Sequence, residues 1–358
     1  MSDTPTLPAE MTASVLTGVG SIVLEQRPVP QPAPDEVLVR VASVGVCGSD
    51  VHYYEHGRIG EYVVEEPLIL GHELSGTVVA VGRDVDPGRV GERVAVEPQR
   101  PCRVCDFCKA GDYNLCPSME FYATPPVDGA FCEYVVIQAD FAFALPDSIS
   151  DHAGALLEPL SVGIAAAQKG GIKVGDRVLI AGGGPIGILT AQVARAYGAA
   201  EVVLTDLDPA RRELAARYGV TRVIDPRQES LEGLDAHVFV DATGAVPAIS
   251  SGIRATRPGG TVVLVGSADE IPLSVPDVAM RELNVTGVFR YTGTWPIARE
   301  LVRSGQVEVD SLVTHVFGLE QVEEALSGDG AQDSLKRIVL PGVRRVEDPV
   351  AVAQGEHR

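Results

Sequence analysis

The sequence predicts an α/β protein whose second half folds as a doubly wound parallel sheet. The first observation is the unit at residues 176–206. It joins a short apolar run, a glycine-rich turn, a stretch with helical periodicity from Pro185 to Tyr197, and a second β-type run. The second observation is that strand-like and helix-like segments continue to alternate after this unit, as is typical of parallel sheets. The third is the length of 358 residues, which exceeds the usual size of one core and predicts two domains.

The glycine-rich turn carries a nucleotide-binding pattern. Gly182, Gly184 and Gly187 stand at G-x-G-x-x-G spacing between the first strand and the helix. The first glycine permits a sharp turn, the second lets backbone approach a pyrophosphate, and the third permits close packing of helix on strand. The helix N-terminus presents unpaired N–H groups and its positive end to phosphates. The unit therefore predicts a dinucleotide site.

Asp206 closes this unit at the end of its second strand. A carboxylate at this place can accept hydrogen bonds from a ribose 2′-hydroxyl, and it would repel a 2′-phosphate. Asp206 therefore favours NAD. Arg211 and Arg212 follow shortly after it and leave NADP open as the alternative.

The other elements are predicted from apolar runs and turn residues. Residues 11–46 alternate β-type runs with turns, and small apolar residues at 151–170 are compatible with a helix. In chain order, the further predictions are a proline-rich loop at 28–36, a strand from Val37 to Val44, a helix at 209–219, strands at 221–225 and 236–241, a turn at 258–260, helices at 295–304 and 319–327, and a strand at 336–340.

The composition excludes some kinds of partner. Lys and Arg total 29 and Asp and Glu total 49, which gives a net charge of −20. This charge opposes nucleic-acid binding, which requires a basic surface, but it is compatible with an uncharged substrate. No apolar stretch long enough for a transmembrane helix and no signal peptide is recognised. We expect a soluble cytoplasmic protein with neither nucleic-acid nor membrane partners.

Four of the six cysteines form a compact motif within residues 97–117. Cys102, Cys105, Cys108 and Cys116 follow the spacing C-x2-C-x2-C-x7-C. Four thiolates satisfy a tetrahedral zinc ion and leave no position for water, so the motif predicts a structural zinc site. A zinc-ribbon nucleic-acid module shares this spacing, but the strong acidity and the nucleotide unit oppose that alternative.

A second metal site is predicted from three residues in the first part of the chain. Cys47 lies beside a glycine, and the His72–Glu73 pair lies just before a predicted strand. Sulfur, imidazole and carboxylate are a plausible ligand set for a catalytic zinc with one open position. Taken singly, Cys47 reads as a small buried hydrophobe and His72 as a satisfied histidine. Because the chain also carries a predicted nucleotide site, we favour zinc binding over these two structural interpretations.

Glu158 lies in the apolar helix-compatible run at 151–170. A carboxylate in such a run needs a partner, which a metal centre supplies. The alternative is an ordinary acid on an exposed helix face.

These motifs together resemble the zinc-dependent medium-chain dehydrogenases, and within them the polyol branch of sorbitol and xylitol dehydrogenases. The resemblance spans about residues 12–340. EPLSVG and FRYTGTWP favour the polyol branch over simple alcohol dehydrogenases. The segments that carry the resemblance are CGSDVHYYEHGRIG at 47–60, GHE at 71–73, the four-cysteine motif, FYATPPVDGAF at 121–131, EPLSVG at 158–163 and VFRYTGTWP at 288–296.

The resemblance implies a fold and a domain division. A mostly-β GroES-like catalytic domain would comprise residues 1–157 and 295–358, with a zinc lobe near 97–117. A Rossmann domain that binds NAD would comprise residues 158–294. Some sorbitol dehydrogenases have lost the structural cysteines, and this chain departs from them because it keeps all four.

The resemblance also implies roles at matched positions. Cys47, His72 and Glu73 would hold the catalytic zinc, with Glu158 either hydrogen-bonding the zinc-bound water or ligating directly. Ser49 would take the substrate proton and His52 would pass it to solvent. The implied polyol pocket consists of Tyr53, Phe121, Thr124, Glu158, Arg290 and Tyr291. The implied cofactor contacts are Gly182, Gly184, Pro185, Ile186, Gly187, Asp206, Arg211, Val265, Gly266, Ser267, Val288, Phe289 and Arg290.

The implied activity is oxidation of a secondary hydroxyl of a sugar alcohol to a ketose, with hydride transfer to NAD. Zinc-dependent oxidation of another secondary alcohol, of threonine or of a sugar acid is the alternative. A non-catalytic nucleotide-binding scaffold is a more distant one. Relatives suggest a homotetramer or homodimer.

Overall fold

The computed structural model describes residues 7–267, 270–328 and 334–353. The chain forms two compact units. The first contains the residues up to 109, residues 116–158 and the residues from 310 on, and the second contains residues 110–115 and 159–309. Parts of the predicted domain ranges, at 1–6, 268–269, 329–333 and 354–358, lie outside the described residues.

Strands dominate the first unit, and strands alternate with helices in the second. The strands are β1 (Glu10–Gly18), β2 (Ser21–Pro28), β3 (Glu36–Gly45), β4 (Arg58–Ile59), β5 (Tyr62–Val63), β6 (Leu68–Ile69), β7 (Glu73–Val81), β8 (Arg93–Val96), β9 (Gln99–Arg100), β10 (Glu120–Phe121), β11 (Tyr134–Gln138), β12 (Ala142–Ala144), β13 (Arg177–Ala181), β14 (Glu201–Thr205), β15 (Arg222–Ile224), β16 (Ala236–Asp241), β17 (Thr256–Leu264), β18 (Asn284–Gly287), β19 (Val313–Gly318) and β20 (Lys336–Leu340). The helices are α1 (Gly48–His56), α2 (Asp106–Ala110), α3 (Asp151–Ala155), α4 (Leu157–Gly170), α5 (Pro185–Ala196), α6 (Pro209–Ala215), α7 (Val246–Ala255), α8 (Val275–Met280), α9 (Trp295–Arg303), α10 (Val322–Ser327) and α11 (Pro349–Ala353).

The first unit is built on a seven-stranded sheet. Its strand order is β12-β8-β7-β3-β20-β19, and β11 pairs with β3 off this path. The central strand β3 is buried along almost its whole length, which explains its nearly continuous apolar sequence. Strand β20 pairs antiparallel with β3, so Ile338 lies opposite Gly45. Strand β20 thus lies beside the loop that follows β3, where Val46 N donates to Arg337 O.

The second unit contains a six-stranded parallel sheet with the order β15-β14-β13-β16-β17-β18. Strand order reverses between β13 and β16, which is the topology of a doubly wound dinucleotide-binding sheet. The inner strands are almost wholly buried and rich in Val, Leu and Ile because a parallel sheet is covered on both faces. The predicted doubly wound sheet is confirmed.

The structure differs from the predicted elements at several ends and at the predicted turn at 258–260. That segment lies inside β17, where the pairing with β16 is irregular. β14 ends one residue before Asp206, and the segment at 319–327 begins as a 3-10 turn (Leu319–Gln321) before α10. The predicted domain ranges place residues 295–309 with the first domain, whereas the structure groups them with the second unit. Gln192 on α5 explains part of this grouping, since its side-chain amide exchanges two 2.8 Å hydrogen bonds with the backbone of Glu308. The functional domain bounds stay a prediction. Among the described residues, no helix has both the length and the apolar character needed to cross a bilayer.

Candidate metal centres and nucleotide site

Cys47, His72 and Glu73 come together in the first unit. One ligand atom from each side chain lies within 4.8 Å of the others. Strands β3 and β7 pair antiparallel with Gly45 opposite Glu73, so the loop after β3 meets the residues that begin β7. A Cβ atom at Gly45 would lie 2.0 Å from Glu73 Oε2. Glycine therefore leaves the space that the carboxylate fills.

Asp50 ties the two halves of this cluster together, and the sequence analysis did not single it out. Its side chain is fully buried; Oδ2 accepts a 2.9 Å hydrogen bond from Cys47 N, and Oδ1 accepts one of 2.9 Å from Gly71 N. Oδ1 also lies 3.5 Å from His72 Nδ1. This arrangement orients the imidazole and leaves its other nitrogen for a metal. The available signal was an acid three residues after Cys47, the place of a helix-capping side chain.

Charge inside the cluster is balanced by mutual interaction. Burial raises the pKa of Asp50, but the His72 ring and the backbone N–H groups outweigh it and hold that pKa below its usual value. Burial lowers the pKa of His72, but the charges of Asp50 and Cys47 outweigh it and raise that pKa well above its usual value. The site is therefore arranged around charged groups rather than around neutral core side chains.

Lys336 is a second residue that the sequence analysis missed. It is buried at the start of β20, and its Nζ donates hydrogen bonds to Glu73 Oε1 at 2.6 Å and to Val46 O at 2.8 Å. Burial lowers the pKa of this ammonium, whereas the charges of Glu73 and Cys47 raise it, with a net increase. No local pattern could have found the pair, because 263 residues separate Lys336 from Glu73.

The donor set fits a catalytic zinc ion. Cys47, His72 and Glu73 supply sulfur, nitrogen and oxygen, and three protein ligands leave one position open in a tetrahedral site. Glu158 lies on α4, is 5% exposed, and is not part of this three-residue group. Its charge contributes to the raised pKa of Lys336. Whether Glu158 acts as ligand or as neighbour stays a prediction.

The four cysteines of the lobe also form one group. One sulfur from each of Cys102, Cys105, Cys108 and Cys116 lies within 4.8 Å of the others. The N–H groups of Val104 and Cys105 lower the pKa of Cys102 to about 6, while desolvation and Cys105 raise the pKa of Cys108 to about 12. Four sulfurs without an oxygen ligand fit a structural zinc ion. Helix α2, inside the lobe, has no buried residue, so the lobe lacks an apolar core.

Three of the predicted substrate and proton-transfer residues lie on α1. Tyr53 is buried, Ser49 is partly buried and His52 is exposed, and the His52 ring lies 4.5 Å from that of His56. Helix α1 begins directly after Cys47, which places Ser49 one turn before His52 and Tyr53.

Two more predicted pocket residues lie in the stretch after the lobe. The centroids of the Phe121 and His72 rings lie 5.5 Å apart. Thr124 is partly buried and its backbone N–H donates to Phe121 O. The structure thus brings Phe121 to the metal cluster.

The glycine-rich turn has the backbone that the sequence predicts. Gly182 adopts φ +104°, a conformation that side chains disfavour. A Cβ atom at Gly187 would lie 1.9 Å from Gly182 O, whereas one at Gly184 would meet nothing within 4 Å. Gly187 therefore permits close packing, and Gly184 leaves open space in front of the helix. Pro185 and Ile186 form the first residues of α5.

Asp206 reaches back to this turn. Its Oδ2 accepts a 2.7 Å hydrogen bond from Gly183 N, and its Oδ1 accepts one of 2.8 Å from Asp208 N. A cavity of about 450 Å³ lies beside it, with Arg211 and Thr243 among its lining residues. This is the place at which a ribose and its base would bind.

The remaining predicted cofactor residues follow β17 and β18. Val265 N and Gly266 N both donate to Asp241 O, at 2.9 and 3.1 Å, and Val288 N donates to the carbonyl of Leu264. The buried carboxylate of Asp241 accepts from the loop after β16 and so fixes the adjoining edge of the sheet. Ser267 ends this run of described residues.

Phe289, Arg290 and Tyr291 follow β18 within the second unit. Arg290 adopts φ +57°, and its guanidinium carbon lies 4.7 Å from the centre of the Phe289 ring. Tyr291 is buried and meets Trp295 edge-on, with 6.3 Å between ring centres.

Comparison with known proteins agrees with this geometry. Residues 33–147 match the alcohol dehydrogenase GroES-like domain, and residues 185–304 match the zinc-binding dehydrogenase family. The chain is 46% identical over 333 residues to a sorbitol dehydrogenase of Bacillus subtilis (strain 168), covering 90% of this chain and 94% of that one. It is 47% identical over 323 residues to the sorbitol dehydrogenase of Homo sapiens, covering 87% and 90%. A solved zinc-binding dehydrogenase of Sinorhizobium meliloti 1021, bound to NADP, is 31% identical with a TM-score of 0.86, covering 93% and 100%.

The chain belongs to the zinc-binding medium-chain dehydrogenases. Within that family it belongs to the polyol branch, beside the sorbitol dehydrogenases. The predicted family, the GroES-like plus Rossmann fold class and the oxidoreductase activity are confirmed. The predicted cofactors, zinc and NAD, agree with this membership. The roles of single residues stay predictions.

Proposed function

We propose that this protein oxidises a secondary hydroxyl of a sugar alcohol, of the sorbitol or xylitol kind, to a ketose, with hydride transfer to NAD. The observation that carries this proposal is the cluster of partly buried Cys47 with buried His72 and Glu73, in a chain 46% identical to a sorbitol dehydrogenase. A glutamate as the third ligand, with Phe121 beside the cluster, distinguishes the site from one built on two cysteines and a histidine.

Cys47, His72 and Glu73 would hold the catalytic zinc, with Asp50 orienting the imidazole. Zinc when bound acts as a Lewis acid that lowers the pKa of a substrate hydroxyl. Glu158 supplies a buried carboxylate on α4. This carboxylate would either accept a hydrogen bond from the group that occupies the open zinc position or ligate the zinc itself.

Ser49 and His52 form the proposed route for the proton. The Ser49 hydroxyl would accept the proton of the substrate hydroxyl while it gives its own proton toward His52, and His52 would release a proton to solvent. Support comes from α1, where a partly buried serine lies one turn before an exposed histidine. A proton can therefore travel along one helix face from the site outward.

Tyr53, Phe121 and Thr124 are the proposed polyol-binding residues of the first unit, and Arg290 and Tyr291 are those of the second. Polar groups that bind several hydroxyls reject analogues that lack them, because a buried donor would then be left unpaired. A polyol is accordingly preferred over a monohydric alcohol.

NAD is the proposed cofactor because Asp206 stands beside the turn where a ribose would bind. The Sinorhizobium relative was solved with NADP, and Arg211 lines the cavity beside Asp206 in this chain. The cofactor is therefore tested together with the substrate.

The test is a substrate panel with both cofactors. Purified protein is mixed with a polyol (sorbitol, xylitol, galactitol, ribitol or an arabitol) or with a competing substrate (threonine, a sugar acid or a simple secondary alcohol). Each mixture receives NAD or NADP, and the absorbance of the reduced nicotinamide is followed. We expect the highest kcat/KM for a polyol with NAD. Higher kcat/KM for threonine, a sugar acid or a simple secondary alcohol would replace the proposal, and reduction of neither cofactor by any substrate would support the scaffold alternative.

We also propose a homotetramer or homodimer in a cytoplasmic setting. All six cysteines are unpaired thiols, which suits a reducing compartment and leaves the lobe free to bind metal. Light scattering after size-exclusion chromatography gives the number of chains, and a monomer at micromolar concentration contradicts the assembly.

A further inference from the structure

Two loops of the second unit are joined by hydrogen bonds. The lobe loop, residues 110–115, lies between Cys108 and Cys116, and the binding segment, residues 289–293, follows β18. Three hydrogen bonds connect them: Thr292 Oγ1 to Gly111 O at 2.6 Å, Gly293 N to Tyr113 Oη at 3.0 Å, and Asn114 Nδ2 to Phe289 O at 3.0 Å.

The binding segment needs such support. Arg290 adopts φ +57°, which is unfavourable for a residue with a side chain and persists only where the surroundings hold it. The hydrogen bonds of the lobe loop reach residues on both sides of Arg290, at Phe289 and at Thr292 and Gly293. The lobe loop therefore holds the backbone on either side of the strained residue.

The lobe loop in turn depends on the cysteine group. Leu115 in the lobe loop is 45% exposed, and Val104 and Phe107 in the preceding part of the lobe are 70% and 46% exposed. Apolar burial therefore contributes little to the order of this region. Cys108 and Cys116 flank the loop directly, and their sulfurs belong to the four-cysteine group. A metal bound by these sulfurs would fix both ends of the lobe loop.

We propose that the four-cysteine lobe positions the binding segment, with Tyr113 and Asn114 as positioning residues. This rests on the proposed function, which assigns Phe289, Arg290 and Tyr291 to the cofactor and the polyol. Metal in the lobe thus controls how tightly cofactor and polyol bind, in addition to stabilising the fold. No chemical step passes through the lobe.

The first test removes the hydrogen bonds and leaves the cysteines in place. In the double variant Tyr113→Phe plus Asn114→Ala, loss of two hydrogen bonds raises the Kd for NADH and the KM for the polyol about tenfold. We expect kcat to change less than about twofold, since the catalytic cluster is untouched. A general loss of folded protein would instead lower kcat and leave KM unchanged.

The matched control breaks a contact of the lobe that does not reach the binding segment. Arg103 forms an ion pair with Asp140, and both lie in the first unit. Arg103→Gln removes this pair and should leave the Kd for NADH and the KM for the polyol at wild-type values.

Two further readouts follow the binding segment without turnover. Trp295 is the only tryptophan of the chain, is fully buried, and lies edge-on to Tyr291, so its emission reports order next to the segment. Amide hydrogen exchange of residues 288–294 reports the segment itself. In the double variant we expect faster exchange there and altered Trp295 emission.

The second test removes the lobe metal. Cys105→Ser should lose one zinc ion, keep the other, and show the same faster exchange at residues 288–294. Where Cys105→Ser fails to fold, the double variant still decides the question.

The proposal is overturned if exchange at 288–294, Trp295 emission and the Kd for NADH all stay at wild-type values in the double variant. Absence of polyol oxidation in wild-type protein would instead remove the proposed function, while exchange and emission would still test the coupling of lobe and binding segment.

Discussion

At the scale of single residues, the ion pair between Lys336 and Glu73 explains how the Glu73 carboxylate can stay ionised and buried without a metal ion. The carboxylate is 1% exposed and would be costly to bury alone. The Lys336 ammonium, 2.6 Å away, compensates this charge when no zinc is present. A zinc ion held as proposed by Cys47, His72 and Glu73 would share that compensation.

This pair gives a prediction about stability. Lys336→Met should lower the free energy of unfolding of zinc-free protein by about 3–5 kcal/mol, because it leaves a buried charge unpaired. The loss should be smaller in zinc-loaded protein, where the metal faces the same carboxylate. Thermal unfolding with and without a chelator measures both values.

Arg337→Met is the matched control, since Arg337 is the next residue of β20 and bonds instead to Ala325 O. Its effect should be the same with and without zinc. Equal losses for Lys336→Met in the two forms would contradict the compensation described for Glu73.

Asp206 gives a prediction about cofactor choice. Asp206→Asn removes the charge and keeps an oxygen that can accept from Gly183 N. The ratio of kcat/KM for NADP to that for NAD should rise about tenfold, because a charged hydrogen bond to the ribose is lost and repulsion of a 2′-phosphate ends. Steady-state kinetics with both cofactors measures the ratio.

Asp208→Asn serves as its control, because Asp208 caps α6 two residues further on and is exposed. An unchanged ratio in Asp206→Asn would count against the assignment of Asp206 to the ribose.

Residue types with fixed spacing were predictable from the sequence, and partners distant in the chain were not. The four cysteines and the three glycines are recognisable because each set lies within one short stretch of the sequence. Cys47 and His72 were ambiguous singly, since a buried thiol and a buried imidazole are common in cores. The contact of Lys336 with Glu73 could not be predicted from local patterns, because β20 is brought to β3 only by sheet pairing.

At the scale of elements, two glycines at the start of α5 have different roles. Gly187 allows the helix to approach the strand, and Gly184 leaves space in front of the helix N-terminus. Gly187 is therefore expected to matter for stability, and Gly184 for nucleotide binding.

We predict that Gly187→Ala lowers the free energy of unfolding by about 1–3 kcal/mol or more, because its Cβ would overlap Gly182 O. Gly184→Ala should unfold at close to the wild-type temperature and bind NADH more weakly, since its Cβ occupies the space that a pyrophosphate needs. Calorimetry and NADH titration measure the two effects. Wild-type stability of Gly187→Ala would show that helix and strand have room to separate.

Element prediction was most accurate where apolar periodicity was long, and least accurate at element ends. Helix α5 and strand β13 were predicted closely. The late helix at 319–327 proved to begin with a tighter 3-10 turn, where Gln321 Oε1 accepts from Gly318 N and Val346 N. Such long-range capping is absent from local sequence patterns.

At the scale of the whole molecule, the two cysteine-containing clusters predict the metal content. The described residues contain two groups able to hold a metal, one with four sulfurs and one with mixed donors. Purified protein should retain about two zinc ions per chain after dialysis. Cys105→Ser and Cys47→Ser should each retain about one, and only Cys47→Ser should abolish oxidation while Cys105→Ser retains it.

Elemental analysis of the three proteins tests this directly. Retention of only one zinc ion by the wild-type protein would contradict the prediction that both clusters bind zinc. Loss of both ions in either variant would show that the two sites are not independent.

The compact units also have a consequence for how the chain can be divided. The backbone passes between them after residues 109, 115, 158 and 309, so the first unit is assembled from three stretches of sequence and the second from two. No single cleavage point separates them into whole pieces, and a gene fragment that encodes only the nucleotide-binding sheet would lack residues 110–115. Neither unit can therefore be produced whole from one uninterrupted stretch of the sequence.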